Sequence, residues 1–265
     1  MQRQYSPVGA CIYCGKSDEP LSKEHIIPYA LGGRLILPRA SCAKHRDLTS
    51  ELELRVAREM YGNYRIVQGI QTRRRKDVEA RRRSRIELDG VAGNGDAVKV
   101  AVLRCELPPV HISVHLPRPQ ILSGDPITRG GVGALLKARV AESSQAYQRL
   151  LHKHRLRSLS IEASIQVETF LRVLAKIGHS FAVASYGLGN FKPVLLPLIE
   201  GRCDRLLQYI GCESPNQPQA TEPLTTYELV HNGNQYLVVE VSLQSFPQLP
   251  CYQIVAAVLN ESVTS

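Results

Sequence analysis

The sequence predicts an α+β protein that begins with a small zinc-clamped ββα unit and continues into a larger α+β domain. Three observations lead to this prediction: two pairs of soft metal ligands near the N-terminus, a strand–turn–strand–helix pattern around them, and mixed strand and helix patterns further along. The 265 residues suffice for one large domain or two small ones. We expect the first unit to span 1–62, a basic connector to span 63–92, and the larger domain to span 93–265.

Four residues have the spacing of a tetrahedral zinc site. Cys11 and Cys14 form a C-x2-C pair, and Cys42 and His45 form a C-x2-H pair further along the chain. Two such pairs can close around one Zn²⁺ ion, and a unit this small does not easily fold without the ion. The alternative is two unrelated buried thiols and a surface histidine.

The residues between and after the two pairs predict the ββα pattern. Residues 22–28 form a β-branched run, a glycine turn follows at 32–33, and a second apolar run at 35–37 ends at Pro38. Ser41 is the expected N-cap of a helix. The apolar stripe of this helix recurs at every fourth position, at Leu48, Leu52, Val56 and Met60.

Strand and helix patterns are mixed beyond residue 93. Strands are expected at 98–102, 110–114, 235–243 and 252–259, with a hairpin turn at 231–234. Residues 133–155 are loosely helical, and an amphipathic helix over 161–177 is expected to end at Gly178. The segment has no clustered nucleophile, phosphate loop or ligand set, so no chemistry is assigned to it; sensing a partner is a third, weaker interpretation of its role.

Positive charge is concentrated in the first third of the chain. Of the net charge of +9, +7 lies in residues 1–90, and a run over 72–85 supplies much of it. A localised positive field favours a polyanionic partner, here DNA with RNA as the alternative, whereas the other interpretation is a solvated linker. The expected nucleic-acid contacts are Arg73, Arg74, Arg75, Lys76, Arg81, Arg82, Arg83 and Arg85.

The sequence favours a cytoplasmic location. The N-terminus lacks an apolar secretion segment, and no apolar run reaches the length of a membrane helix, so no membrane partner is expected. The seven cysteines are an odd number, which argues against a disulfide scaffold and for a reducing compartment. The sequence leaves protein partners open.

Glu24 and His25 are the residues that carry chemistry. A neutral imidazole can take a proton from water, and an adjacent carboxylate can hold a divalent ion against a scissile phosphate. Phosphodiester hydrolysis needs an activated water and a cation that stabilises the developing charge. The alternative is a strand histidine that satisfies a local hydrogen bond.

The motifs around these residues resemble those of the HNH endonuclease family. The matching stretches are CIYCG at 11–15, SKEHIIPYALGG at 22–33 and ASCAKH at 40–45. The resemblance implies a treble-clef-like fold and metal-dependent hydrolysis of DNA. It implies that His25 is the general base and that Glu24 is a ligand of catalytic Mg²⁺ or a similar divalent ion. It also implies a structural Zn²⁺ ion bound by Cys11, Cys14, Cys42 and His45.

Two family positions are not matched. The middle Asn, which orients the base, has no counterpart because no Asn precedes Asn63. The second ligand of the catalytic metal falls on Arg46, which cannot bind a cation. Asp47, Glu51 or Glu53 could replace it, and Glu53 is favoured because residues 46, 49, 50 and 53 share a helix face.

Two alternatives follow from these departures. His45 could be the catalytic ligand, which would leave zinc with three cysteines. The alternative function is that of a catalytically degenerate zinc-containing module that only binds nucleic acid, which Arg46 and the missing Asn favour.

Overall fold

The computed structural model describes residues 3–70, 75–124, 135–140, 145–161, 164–212 and 220–260. Helices and strands are both abundant there, which confirms the α+β prediction. The helices are Ala43–Arg55 (α1), Gly62–Val67 (α2), Arg75–Arg83 (α3), Gln120–Ser123 (α4), Gln145–His154 (α5), Val167–Tyr186 (α6), Leu196–Ile199 (α7) and Leu206–Tyr209 (α8). Within the described ranges, none of the helices combines the length and apolarity needed to cross a bilayer.

The strands of the described residues form four sheets. Those of the N-terminal half are Arg3–Gln4 (β1), Ser22–His25 (β2), Leu35–Ser41 (β3), Arg85–Ala92 (β4), Ala97–Leu103 (β5) and Val110–His115 (β6). Those of the C-terminal half are Leu135–Val140 (β7), Leu156–Leu159 (β8), Lys192–Pro193 (β9), Ile210–Cys212 (β10), Leu224–His231 (β11), Asn234–Val241 (β12) and Tyr252–Asn260 (β13). The sheet orders are β1-β3-β2, β10-β13-β12-β11 with β9 on β13, β5-β4-β8, and β6-β7. Every pairing is antiparallel except that of β1 with β3.

The N-terminal unit has the predicted order of strand, turn, strand and helix, with two boundaries to correct. β3 does not end at Pro38 but continues to Ser41. Pro38 falls where the pairing of β3 with β2 shifts register, and a strand tolerates a missing amide hydrogen at such a point. Cys42, and not Ser41, is the N-cap of α1.

The turn between β2 and β3 depends on a close approach of two backbone segments. A Cβ on Gly33 would lie 1.9 Å from the carbonyl oxygen of Ile27, so a larger residue would collide with the backbone. The amide of Gly33 donates to the carbonyl oxygen of Pro28 at 3.1 Å. The chain therefore folds back directly after β2, the strand that carries Glu24 and His25.

Two helix predictions in the larger domain were wrong in part. The helix expected over 161–177 begins at Val167 and continues past Gly178 to Tyr186. Gly178 marks a close approach and not a helix end, because a Cβ there would lie 2.6 Å from Cγ2 of Ile254 in β13. The helix expected over 133–155 is a strand at 135–140, and α5 begins only at Gln145.

The remaining strand predictions are confirmed with small changes of boundary. The runs at 98–102 and 110–114 lie within β5 and β6. β11 and β12 form the hairpin expected at 231–234, with His231 paired to Asn234.

A single cluster of buried apolar side chains continues from the N-terminal unit into the larger domain. Leu52 and Tyr61 belong to it, together with Phe170 of α6 and Tyr252 of β13. The rings of Tyr61 and Phe170 lie 5.9 Å apart edge to face, and the hydroxyl of Tyr252 donates to the carbonyl oxygen of Val114. The boundaries at 62/63 and 92/93 stay a prediction, and the apolar core extends across both.

His179 of α6 makes a buried contact with the first cysteine pair. Its Nε2 donates to the carbonyl oxygen of Ile12 at 2.7 Å, and the side chain is fully buried. Burial lowers the pKa of His179 to about 4, with the hydrogen bond to Ile12 opposing the shift. The folded protein therefore keeps His179 neutral well below neutral pH.

We expect His179 to make the protein sensitive to acid. An unfolded histidine has a pKa of about 6.5, so the unfolded chain binds a proton before the folded chain does as the pH falls. The contribution of this group to the free energy of unfolding is complete above pH about 6.5 and is lost as the pH falls towards about 4. The reference variant is His179→Gln, because the glutamine amide donates to the carbonyl oxygen of Ile12 in place of the imidazole but does not titrate.

In urea unfolding, the stability of the wild type relative to His179→Gln should fall by up to about 3 kcal/mol across that range. Protonation of the zinc ligands affects both proteins and cancels in the difference. A difference that stays constant with pH would contradict the buried neutral state of His179.

Candidate functional site

The four predicted zinc ligands converge at the start of α1. The ligand atoms of Cys11, Cys14, Cys42 and His45 all lie within 4.8 Å of one another. His45 Nδ1 lies 3.2 Å from Cys42 Sγ and 3.7 Å from Cys11 Sγ, and Cys14 Sγ lies 3.9 Å from Cys42 Sγ. Ligands held about 2.0–2.3 Å from a tetrahedral ion are separated by about 3.5–3.8 Å, so the cluster fits Zn²⁺.

Local backbone structure aims these ligands at one point. The amide of Gly15 donates to the carbonyl oxygen of Cys11, which closes a tight turn around the first pair. The amide of Ile12 donates to the carbonyl oxygen of Ala40 at 2.9 Å and ties this turn to the end of β3. Because β3 leads directly into α1, the second ligand pair lies on the first turn of the helix, next to the first pair.

A carboxylate from the larger domain orients the histidine ligand. His45 Nε2 lies 3.1 Å from Oε1 of Glu200, and the imidazole stacks on the ring of Tyr13 at 5.3 Å. Burial raises the pKa of Glu200, but the hydrogen bonds from His45 and Arg202 outweigh burial, and the pKa is lowered. A hydrogen bond of this kind fixes the ring and leaves Nδ1 to face the ion.

This geometry bears on the alternative role of His45. The imidazole of His45 is 2% exposed and belongs to the cysteine cluster. His45 is not among the residues that line the cavity around Glu24 and His25. The contacts therefore favour His45 as the fourth zinc ligand over a catalytic role.

A cavity of about 410 Å³ brings the three predicted catalytic residues together. Glu24 and His25 reach it from the end of β2, and Glu53 reaches it from α1. The cavity is also lined by the other members of the helix face that the spacing predicted, Arg46, Thr49 and Ser50. The volume leaves room for a phosphate group beside the imidazole.

The other two carboxylates considered for this site have different partners. Asp47 accepts hydrogen bonds from Arg46, and Oε1 of Glu51 lies 4.0 Å from Arg55. Neither Asp47 nor Glu51 lines the cavity. Of the three candidates, Glu53 is the one with the position expected for a partner of Glu24.

Sequence reasoning missed Lys176, which contacts both cavity carboxylates. Its Nζ lies 2.6 Å from Oε1 of Glu24 and 2.8 Å from Oε1 of Glu53, and it also donates to the carbonyl oxygens of His25 and Ile26. The side chain is 1% exposed. Burial opposes the charged form, yet the two carboxylates outweigh it and raise the pKa of Lys176. Its signal in the sequence is a lone lysine in the apolar stretch 173–177.

Aromatic and cationic groups pack around the predicted base. The rings of His25 and Tyr29 lie 6.0 Å apart edge to face, and the guanidinium of Arg34 lies 4.7 Å above the ring of Tyr29. His25 itself is 7% exposed. The imidazole is therefore held on the cavity wall by packing against Tyr29, which also lines the cavity.

The structure describes part of the basic run. Arg81, Arg82 and Arg83 end α3, and Arg85 begins β4. Arg83 forms an ion pair with Glu79 at 2.9 Å. Arg73 and Arg74 lie outside the described residues, as do the side chains of Arg75 and Lys76. Nucleic-acid binding by this run stays a prediction.

The N-terminal unit matches a known protein family. Residues 11–48 match the family model described as HNH endonuclease, and this range includes the four candidate zinc ligands, Glu24 and His25. A search of curated proteins and a search of solved structures found no match to the chain. The resemblance inferred from the motifs is therefore confirmed for this segment.

We expect the purified protein to contain about one Zn²⁺ ion per chain. Cys42→Ser should lose the ion, because the serine hydroxyl is a poor ligand in place of a thiolate. Loss of an ion worth on the order of 10 kcal/mol should unfold the N-terminal unit.

Metal analysis and circular dichroism measure the two effects. Cys105→Ser is the matched control, because Cys105 is half-buried and lies outside the cluster. A Cys42→Ser variant that keeps its zinc and its fold would contradict the assignment.

We expect Glu200→Ala to weaken zinc binding by about 10–100-fold, because the carboxylate orients His45. Competition with a chromophoric chelator measures the affinity. Arg202→Ala removes a neighbour of Glu200 but leaves the carboxylate, so it should bind zinc almost as tightly as the wild type. Equal affinities in the wild type and Glu200→Ala would show that Glu200 has no part in the metal site.

Proposed function

We propose that the protein is an HNH-type endonuclease that hydrolyses phosphodiester bonds of DNA, with His25 as the general base. One observation carries the proposal: Glu24, His25 and Glu53 line a single cavity beside the zinc-ligand cluster, in the unit that matches the family. We place the reaction in the cytoplasm, because an odd number of cysteines argues for a reducing compartment.

The cavity residues divide the chemistry between a base and cations. His25 takes a proton from a water molecule, the resulting hydroxide attacks the phosphorus atom, and the bond to the leaving oxygen breaks, with that oxygen taking a proton from solvent water. Arg46 and Lys23 line the same cavity and carry the charges that bind the phosphate oxygens. The ring of Tyr29 limits the rotation of the imidazole. The asparagine that orients this histidine in the family has no counterpart here, because no Asn precedes Asn63.

The resemblance implies Mg²⁺ or a similar divalent ion at Glu24, with Glu53 as the second ligand. An ion bound by both carboxylates would lie about 2.0–2.6 Å from an oxygen of each. Nζ of Lys176 lies 2.6 Å from Oε1 of Glu24 and 2.8 Å from Oε1 of Glu53, so an ammonium lies where an ion that bridges these two oxygens would lie. The acidic pair does not fit a divalent ion while Lys176 is in place.

A second candidate function is binding of nucleic acid without cleavage. Arg46 at a metal-ligand position and the absence of the orienting asparagine favour it. If the basic run contacts about 4–6 phosphates, the logarithm of the binding constant should fall with the logarithm of salt concentration with a slope of about −4 to −5. Such binding with no cleavage would identify this function.

We expect the protein to nick or cleave plasmid DNA and His25→Ala to lower the rate by about 10²–10⁴-fold, because the attacking water loses its base. Gel assays in parallel with and without added Mg²⁺ measure the rate. His152→Ala, which changes an exposed histidine of α5, is the control.

Unchanged cleavage by His25→Ala would reject the assigned base. Absence of cleavage by the wild type under both conditions, with salt-sensitive binding retained, would favour the second candidate function.

A further inference from the structure

Lys176 brings a positive charge to the acidic pair from outside the segment that matches the family. Its ammonium has three protons, and it contacts Glu24, Glu53 and the carbonyl oxygen of His25. All three N–H donors of the ammonium therefore have acceptors among the residues around the site. At 1% exposure it lies beneath the cavity surface, where water cannot take the place of these partners.

The charge requirement of the pair explains the contact. Glu24 lies on β2 and Glu53 lies on α1, and both carboxylates approach the ammonium of Lys176. Two carboxylates this close repel each other unless a cation lies between them. In a metal-dependent site a divalent ion meets this requirement and fixes both oxygens. Here an ammonium meets it at distances of 2.6 and 2.8 Å, so Glu24 and Glu53 are positioned without an ion.

The lysine is a fixed part of the site and not a movable cap. Its neighbours on α6, Val173, Leu174, Ala175 and Ile177, are all fully buried. Gly178, two residues further along α6, also packs directly against Ile254. Movement of α6 away from the site would expose this apolar surface, so packing of the helix keeps Lys176 beside the acidic pair.

We propose that Lys176 is a positioning residue that replaces the divalent ion of this site, so that the wild-type chain takes up no divalent ion at Glu24 and Glu53. The inference rests on the proposed function only in treating the cavity as the nuclease site. Removal of the ammonium should convert the acidic pair into a divalent-ion site, because the cation that contacts both carboxylates is then gone.

The test is titration of zinc-loaded full-length protein with Mn²⁺, with the EPR signal of free Mn²⁺ as the measure of uptake. The variants are Lys176→Met and the double variant Lys176→Met/Glu53→Gln. The matched control is Arg172→Met, which removes a cation one turn away on α6 whose partners are the carbonyl oxygens of Leu198 and Ile199.

We expect Lys176→Met to bind Mn²⁺ at least about tenfold more tightly than the wild type, because the two carboxylates lose the ammonium that competes with a metal ion for their oxygens. The wild type and Arg172→Met should show only the weak uptake of surface carboxylates. The double variant should lose the gained binding, since it has lost one of the two ligands. A purely structural lysine would not yield a gain of metal affinity on removal.

A wild type that binds Mn²⁺ tightly and loses the binding in Glu53→Gln would overturn the inference. A folded Lys176→Met that gains no Mn²⁺ affinity would overturn it as well. If Lys176→Met does not fold, the wild type and Glu53→Gln decide, with equal uptake as the supporting result. None of these measurements depends on DNA cleavage, so failure of the nuclease assay alone would leave this inference intact.

Discussion

The contact between α6 and the N-terminal unit is the constraint on which the site depends. Lys176 of α6 contacts the acidic pair, Glu24 and Glu53, from beneath the cavity surface. One turn further along α6, His179 contacts the backbone of the first cysteine pair. A zinc ion bound by the four-residue cluster would tie the first cysteine pair to the start of α1, but a unit of this length buries too little apolar surface to be stable alone. The helix supplies both the missing apolar cover and the charge that the cavity carboxylates require.

Sequence reasoning found the parts of the site that are local in the chain. The ligand pairs, the Glu24–His25 dipeptide and the helix face that carries Glu53 are all defined by spacings of one to seven residues. Short spacings translate directly into geometry, because a turn or a helix fixes the relative positions of such residues. The segment that carries them is also the one that the family match covers.

The missed contacts are all long-range. Lys176 and Glu200 lie more than about 120 residues from their partners, and no local pattern predicts which side chain a packed core brings to a site. Two local signals were also misread. Gly178 predicts a helix end but marks close packing against β13, and Pro38 predicts a strand end but lies at a register shift.

In the proposed nuclease, two departures from the family pattern are related. Arg46 stands where the family has a metal ligand, and the ammonium of Lys176 takes the place of the ion. Both changes replace a mobile ion and its ligand with charges that are covalently part of the chain. A phosphate in the cavity then meets Arg46 and Lys23, while Glu24 and Glu53 serve as the anchor of α6.

The continuous apolar core has a consequence for how this unit could be exchanged between proteins in evolution. A zinc-bound ββα unit is often regarded as a portable module, since its ligands and base lie in one short segment. Here a transplanted segment would leave behind the ammonium that neutralises its carboxylates, the glutamate that orients its histidine and the helix that covers its apolar side. Recombination at the edge of the motif would therefore yield an incomplete domain, and α6 should be inherited together with it.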